Sequence, residues 1–456
     1  MERLSGAGVL VARWVALGGL CLGVTGLAVA CGDDAESGGS SGGSGGSAGT
    51  AGSGAAGAGG SSGATTGGTG GSSDTCTAAV SKGPWSTRIS GDSAVIRWES
   101  CDQGASAELK LKPEAGGAEQ AFQSDVSSFD IQNRYTSIIP AEIPDDLPGT
   151  YYMHEAKLSG LAPGCYTYSL TADTSRNGRF CTARASGEDF NFMAIADTNP
   201  GLTDNTELIL EQVARKGYDF SVHAGDLQYY ASGLETWASW FPSMQPMLSQ
   251  GGFFPAIGNH ESEKPDEYDA YYTRFFGDSG FEGTSAYYVF DTGGVSFFSL
   301  DTEIPLQDGA DPAQYDWFAA KLKEKSEMAG YRFSVVYMHR PLITCGDTGS
   351  LETERYLLEP LFEQYNVQLV LQGHMHGYER FTVPLTSRNL TYVTTGGGGG
   401  AIGNVDEHVD REYCSQRVAS GAFNEALWVQ VTQTEIKAQA IDQTGEAKDD
   451  FTIPLQ

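Results

Sequence analysis

Positive charge is scarce in this chain. Its 456 residues include 28 Lys and Arg against 58 Asp and Glu, a formal net charge of −30. A surface that acidic repels polyanions, which excludes nucleic acid as a main partner. Any anion-binding site must then carry its own local positive charge. Cysteine is limited to 8 residues, and no two have CxxC spacing, which argues against a thiolate zinc site. Glycine is abundant, yet Gly396 to Gly400 is followed by no Lys-Ser/Thr and is not a P-loop. Close backbone approach at a packed site is the better account of that run.

The N-terminus reads as an export signal over residues 1–31. Arg3 and Arg13 flank a small, apolar start, and Trp14 to Ala30 is uncharged. That run is short for a spanning helix and sits where a cleaved signal belongs. It ends in Leu27-Ala28-Val29-Ala30-Cys31, which resembles a bacterial lipoprotein cleavage box with its Leu one place too far from the Cys. The alternative is a plain secretory signal. Residues 32–75 form a linker, in which 37–73 contain only Gly, Ser, Ala and Thr. Such a stretch cannot bury a core and acts as a tether with a reach of roughly 30–40 Å. A lipid anchor on Cys31 is thus the one expected membrane contact. Six cysteines remain beyond it, an even number that suits disulfides in an exported chain. Cys165 and Cys181 lie nearly symmetrically about the polar turn 173–178, which predicts a cross-strand bridge.

Two folded regions follow. Residues 76–185 read as all-β, because Ala94 to Trp98, Ala107 to Leu111 and Tyr166 to Leu170 alternate like half-buried strands. The pattern Leu158-Ser159-Gly160-Leu161-Ala162-Pro163-Gly164-Cys165-Tyr166 resembles a fibronectin type III-like sandwich. His154 stands alone there and reads as a packing residue. From 186 to 456 strands alternate with helices, which predicts an α/β layered domain with mixed sheets. Thr203-Asp204 starts a helix with Leu208, Ile209, Val213 and Ala214 as its apolar face. Asp311-Pro312 starts another, with Tyr315, Phe318, Ala319 and Leu322. Glu352 to Tyr365 is a third, with Tyr356, Leu357 and Leu361.

Five apolar runs in this second region share one grammar. Each ends in a potential metal ligand: Ile195-Ala196-Asp197, Gly225-Asp226-Leu227-Gln228-Tyr229, Gly258-Asn259-His260-Glu261, Val336-Tyr337-Met338-His339 and Gly373-His374-Met375-His376. The carboxyl ends of strands are where α/β folds place their chemistry. Asp, Asn, His and Tyr bind hard or borderline cations through O and N. A carboxylate can bridge two cations about 3.5–4 Å apart, which together clamp the oxygens of a displacement at phosphorus. A strand-end Asp alone is often a helix cap, and Gly-Asp alone is a common turn. Two His at i and i+2 in a strand-to-loop turn rarely serve packing, and the ordered set of five is far more specific than any member. His223 reads as a histidine behind the ligands that orients one of them. Glu379 and Arg380 are expected to form an ion pair under the last loop.

The ordered set resembles the calcineurin-like metallophosphoesterases. Gly225-Asp226-x-x-Tyr229 and Gly373-His374-Met375-His376-Gly377-Tyr378-Glu379-Arg380 are similar to the purple acid phosphatases within that superfamily. The resemblance covers about 80–456. It implies that Asp197, Asp226, Tyr229 and His376 hold Fe(III). Asp226, Asn259, His339 and His374 would hold a second, divalent ion (Fe, Zn or Mn), with Asp226 bridging. It also implies hydrolysis of small phosphate monoesters at acidic pH by in-line attack of a metal-bound hydroxide, with His260 binding phosphate or protonating the leaving group. The bland alternatives are an orienting role for His260 and a merely buried Tyr229. Rival readings of the whole chain are a phosphodiesterase of the same superfamily and a non-catalytic surface binding module.

The match departs from the family in two places. Asn199 stands where a Gly is usual, two residues after Asp197. Plant-type relatives also carry histidines shortly after the position of His339, whereas Arg340-Pro341-Leu342-Ile343-Thr344-Cys345-Gly346 contains none. A Cys345–Cys414 disulfide would pin the segment holding His408 and Arg411 beside the site, where either could meet phosphate. The alternative is an ordinary surface loop with a structural bridge.

Overall fold

Strands at the start of the chain divide between two sheets. They are β1 (Lys82–Thr87), β2 (Ser93–Ser100), β3 (Glu108–Pro113), β4 (Gln120–Gln123), β5 (Asp125–Ile131), β6 (Gly149–Ser159), β7 (Cys165–Leu170) and β8 (Asn177–Cys181). The computed structural model describes residues 76–131, 149–200, 203–229, 237–262, 272–277, 282–304 and 312–455. The expected signal and linker, 1–75, lie outside them. Among the described residues no helix is long and apolar enough to cross a membrane.

The order β4-β3-β7-β8 makes a four-stranded antiparallel sheet. Its inward residues Leu109, Leu111, Tyr166, Tyr168 and Phe180 share one core with Ile96, Trp98, Ala156 and Leu158 of β2 and β6. Cys165 lies directly opposite Cys181 and bonds to it, as the turn symmetry predicts. Cys76–Cys101 is a second disulfide. His154 is buried, stacked on Trp98 at 4.8 Å and bonded to Ser100 and Ser124, so it is indeed a packing residue.

The α/β region follows with β9 (Phe190–Ile195), helix α1 (Asn205–Ala214), β10 (Phe220–His223), helix α2 (Trp237–Leu248), β11 (Gly252–Pro255), β12 (Glu282–Gly283), β13 (Tyr288–Thr292), β14 (Val295–Leu300), helix α3 (Pro312–Ser326), β15 (Phe333–Met338), helix α4 (Glu352–Gln364) and β16 (Val367–Gln372). It closes with β17 (Tyr378–Pro384), β18 (Asn389–Thr395), β19 (Arg417–Gly421), β20 (Glu425–Val431), β21 (Glu435–Asp442) and β22 (Ala447–Pro454). One sheet runs β22-β21-β20-β9-β10-β11-β1-β2-β6-β5 and another β12-β13-β14-β15-β16-β18-β17-β19. The first is continuous across the two sequence regions, because Ser86 of β1 pairs with Gly252 of β11. Residues 71–456 accordingly form one compact unit.

The two large sheets pack face to face. Phe192, Phe220, Val222 and Phe254 of one meet Phe297, Val335, Tyr337, Leu369 and Leu371 of the other. Phe220 lies at the middle, 5.4 Å from the Phe192 ring and 5.1 Å from the Phe297 ring. α1 and α2 cover the outer face of the first sheet, and α3 and α4 that of the second. Strands buried on both faces explain why these runs are continuously apolar rather than alternating.

Two helix faces differ from expectation. On α1, Leu208 is exposed and Leu210 is buried with Ile209 and Val213. On α4, Tyr356 is exposed and Leu358 and Phe362 face the sheet. Each helix is rotated so that its i, i+3 and i+4 positions meet the strands. Glu379 and Arg380 do not pair either. Neighbours on a strand point to opposite faces, so Glu379 bonds Arg417, Thr344 and the Cys345 N–H, while Arg380 pairs with Asp449.

Candidate metal centre

The loops after β9, β10 and β11 leave the carboxyl edge of the first sheet, and those after β15 and β16 leave the carboxyl edge of the second. Face-to-face packing brings all five together. Asp226, His339 and His374 have ligand atoms within 4.8 Å of one another. His339 Nε2 lies 3.2 Å from Asp226 Oδ2 and 3.0 Å from Asn259 Oδ1. A second group adjoins this one. Tyr229 OH lies 2.8 Å from His376 Nε2 and 3.4 Å from Asp197 Oδ1. The fold therefore brings the seven expected residues together in two adjoining groups, with Asp226 in the first.

The backbone is strained to do so. Asp197, Asp226 and His374 have φ of 58°, 51° and 69°. Side chains rarely adopt that left-handed region, and its cost is typical of functional sites. The glycines of the motifs leave room for ligands of neighbouring loops. A Cβ on Gly258 would lie 2.1 Å from Asp226 Oδ1, and one on Gly373 2.8 Å from Asp197 Oδ2. The five-glycine run does approach closely, since a Cβ on Gly398 would lie 2.0 Å from Ala196 O.

The imidazoles are set for ligation. His339 Nδ1 lies 3.0 Å from Ala224 O and His376 Nδ1 lies 2.7 Å from Ala401 O. A carbonyl accepts only from N–H, so each Nε2 turns its lone pair toward the carboxylates. Glu261 ties two ligand loops together by accepting the N–H groups of Asp226, Leu227 and Gly258 at 2.8–2.9 Å. Thr198 does the same for the first loop, bonding His223 Nε2 at 3.0 Å and Leu227 O at 2.6 Å. His223 thus supports the loop beside Asp197, and burial lowers its pKa to about 3, keeping it neutral.

The electrostatics call for added positive charge. Asp197 and Asp226 are buried, and among the described residues neither pairs with Lys or Arg. Burial pushes the Asp226 carboxyl up, but the His339 charge outweighs this and holds it well below the usual range. Burial lowers His339 and His376, and the carboxylates reverse this, raising them to about 10 and about 9. Burial, Asp197 and Asp226 raise the Tyr229 phenol well above its ordinary value. Cations would supply the charge these protons bring and displace them. The donor set fits two such cations, one on Asp197, Tyr229 and His376 and one on Asp226, Asn259, His339 and His374.

His260 is at the site. Its N–H donates to Asp226 Oδ1 at 3.0 Å, its Nε2 lies 3.8 Å from Asp226 Oδ2, and its ring is partly open to solvent. The Cys345–Cys414 disulfide exists, and it does hold the 401–416 segment against the loop of His376, where the Gly403 N–H donates to His376 O. Arg411 is engaged by Tyr413 at 2.7 Å and Glu352 at 4.0 Å. Among the described residues no hydrogen bond joins the His408 ring to the ligands.

Sequence reasoning missed the cation that is there. Arg340 Nη1 lies 3.2 Å from His374 Nε2, and Glu303 holds its guanidinium through contacts of 2.9–3.1 Å. Its position directly after His339 was the available signal. Asn199 is buried, and its Oδ1 has no hydrogen-bond partner among the described residues.

Residues 190–378 match the family model of the calcineurin-like phosphoesterases. Among curated proteins, the probable purple acid phosphatase 20 of Arabidopsis thaliana is 27% identical over 255 residues, covering 50% of this chain and 59% of that protein. Purple acid phosphatase 21 of the same plant is 28% identical over 265 residues, 55% of this chain and 59% of that protein. The chain thus spans less than two thirds of the length of these relatives. In fold it is similar to a purple acid phosphatase from yellow lupin (Lupinus luteus) seeds, with a TM-score of 0.66, 19% identity and coverage of 81% of this chain and 74% of that one. The chain carries a calcineurin-like metallophosphoesterase domain and is a distant relative of the purple acid phosphatases.

Proposed function

We propose that the protein is a two-metal phosphoesterase acting on small phosphate monoesters at acidic pH. Fe(III) would sit on Asp197, Asp226, Tyr229 and His376, and a divalent Fe, Zn or Mn ion on Asp226, Asn259, His339 and His374. The two cations, when bound, lower the pKa of water and neutralise charge on the phosphoryl oxygens. The chain's own groups do the rest. His260 can hand a proton to the leaving oxygen from the solvent-facing side of the cluster. Arg340, fixed by Glu303, offers a planar guanidinium to the phosphate and takes the place of the histidines absent after His339. The observation that carries this reading is the pair of imidazoles, His339 and His376, each held at Nδ1 by a carbonyl with its Nε2 turned to a buried carboxylate.

The test combines metal content, a visible spectrum and turnover of p-nitrophenyl phosphate against bis(p-nitrophenyl) phosphate. Two metals per chain, a visible band and faster monoester cleavage are expected. Faster diester cleavage would move the reading to a phosphodiesterase, and a folded protein that takes up no metal would overturn it. We further propose that the N-terminal strands form a fibronectin III-like sandwich. The mature protein would be an exported lipoprotein or a secreted one, and the three disulfides support an oxidising compartment.

A further inference from the structure

The amino ends of β15, β16 and β18 border a second cavity, remote from the ligand loops. It has a volume of about 680 Å³, and β22 from the other sheet contributes to its wall. That size is typical of small-molecule sites, roughly 300–1,000 Å³. β15 and β16 are six residues each, which separates the cavity from the metal centre by about 20 Å at about 3.3 Å per residue.

Its lining reverses the charge of the chain. It includes Arg332, Arg380 and Arg388 and, among the described residues, no Asp or Glu. In a protein with 28 basic and 58 acidic residues such a grouping is unusual. Arg380 is matched by Asp449 and lies over the Phe451 ring at 4.4 Å. The other two are held by backbone carbonyls instead of acids. Arg332 donates to Gly293 O at 3.2 Å and to Thr432 O. Arg388 donates to Phe362 O at 2.7 Å and Asn389 O at 3.3 Å. Neither forms an ion pair among the described residues, although the charges of Asp189 and Glu363 reach Arg332 and Arg388 respectively. A guanidinium has five N–H donors, so most of each fork is still unused while its orientation is set. The amides of Asn366 and Gln368 also line the cavity and are ordered, Gln368 donating to Asn366 Oδ1 at 2.5 Å and Asn366 to Arg332 O at 2.8 Å.

We propose that this cavity binds an anionic sugar, a monosaccharide unit bearing a carboxylate or sulfate. Arg332 and Arg388 take the oxyanion in a bidentate manner. The amides of Asn366 and Gln368 exchange hydrogen bonds with hydroxyls. The space exceeds a bare oxyanion many times over, since a water molecule occupies only about 30 Å³. The site does not depend on the phosphoesterase reading.

Calorimetric titration of the full chain tests it, with glucuronate, glucose, inorganic phosphate and trigalacturonate as probes. Glucuronate is expected to bind at least tenfold more tightly than glucose or phosphate. Arg332→Gln with Arg388→Gln should weaken it at least tenfold. Thr382→Glu places a carboxylate in the lining without removing an arginine contact, and should abolish binding in a protein that still folds. Asp226→Asn should leave glucuronate affinity unchanged, and Thr382→Glu should leave phosphate-ester turnover unchanged. Tighter binding of trigalacturonate would identify a polymer unit as the ligand, and equal binding a free sugar; both support the site. No binding of either uronate, equal affinity for phosphate, or full affinity in Thr382→Glu would overturn it.

Discussion

Two regions of this molecule bury carboxylates and balance them differently. In the N-terminal region Glu99 is wholly buried, and Lys82 at 2.6 Å and Arg274 neutralise it from within the chain. Burial pushes its carboxyl up, but those two cations outweigh that and hold it low. At the metal centre Asp197 and Asp226 are just as buried, yet imidazoles and a phenol surround them. An acid answered by fixed Lys and Arg is finished as folded. An acid answered by groups that can give up protons is ready to exchange them for a cation. The nature of the partner, rather than the fact of burial, separates a structural acid from a functional one.

Substitutions should break the two clusters in opposite ways. Asp226→Asn should reduce metal content and lower turnover at least about a thousandfold, equivalent to about 4 kcal/mol of barrier, and should remove much of the pH-dependent stability that His339 gives the chelated protein. Elemental analysis, kinetics and thermal melts check this. Glu99→Gln should cost about 3–5 kcal/mol by stranding Lys82 and Arg274, seen in denaturant unfolding, while turnover per folded molecule is unchanged.

pH should sharpen the contrast. In chelated protein His339 and His376 have folded pKa values raised to about 10 and about 9. The folded state then binds more protons than the unfolded one above about pH 6.5. Their contribution to stability is full below that pH and is lost as pH rises toward 10. Glu99, with a lowered pKa, contributes above its unfolded value of about 4.5 and loses that contribution as pH falls. Chelated melts should therefore weaken at both ends, and bound metal should remove only the alkaline loss. Tyr229→Phe should have the smallest effect on folding. It should abolish any visible band and leave the melting temperature of chelated protein within about 2 °C, since that phenol's contacts are to other ligands.

The histidines show how far residue order reaches. His339, His374 and His376 announce themselves because each ends an apolar run or shares a two-residue spacing with another. His154 is buried too, stacked on Trp98, and its isolation in the sequence marked it correctly as packing. For His408 and Arg411 a phosphate contact and an ordinary bridged loop both stayed open, because the Cys345–Cys414 bond fixes where a loop lies without fixing where its side chains point. Arg340 went unweighed because an Arg after a ligand has no motif of its own. Its role depends on Glu303, which only folding brings beside it.

Sequence by itself determined the layered α/β class, the all-β region before it, the cross-strand Cys165–Cys181 bridge and the seven strand-end residues that the fold gathers at one centre. These follow from local periodicity, turn residues and strand-end chemistry, all of which act over a few positions. Tertiary structure alone decided that β1 joins the catalytic sheet at Gly252, which faces of α1 and α4 are buried, that Glu379 and Arg380 part company, and that three ligands sit in the left-handed backbone region. It also decided where positive charge gathers, at Arg340 beside His374 and at Arg332 and Arg388 before the amino ends of β15 and β18. Those outcomes arise from contacts between residues far apart in the chain, whose energies no local pattern encodes.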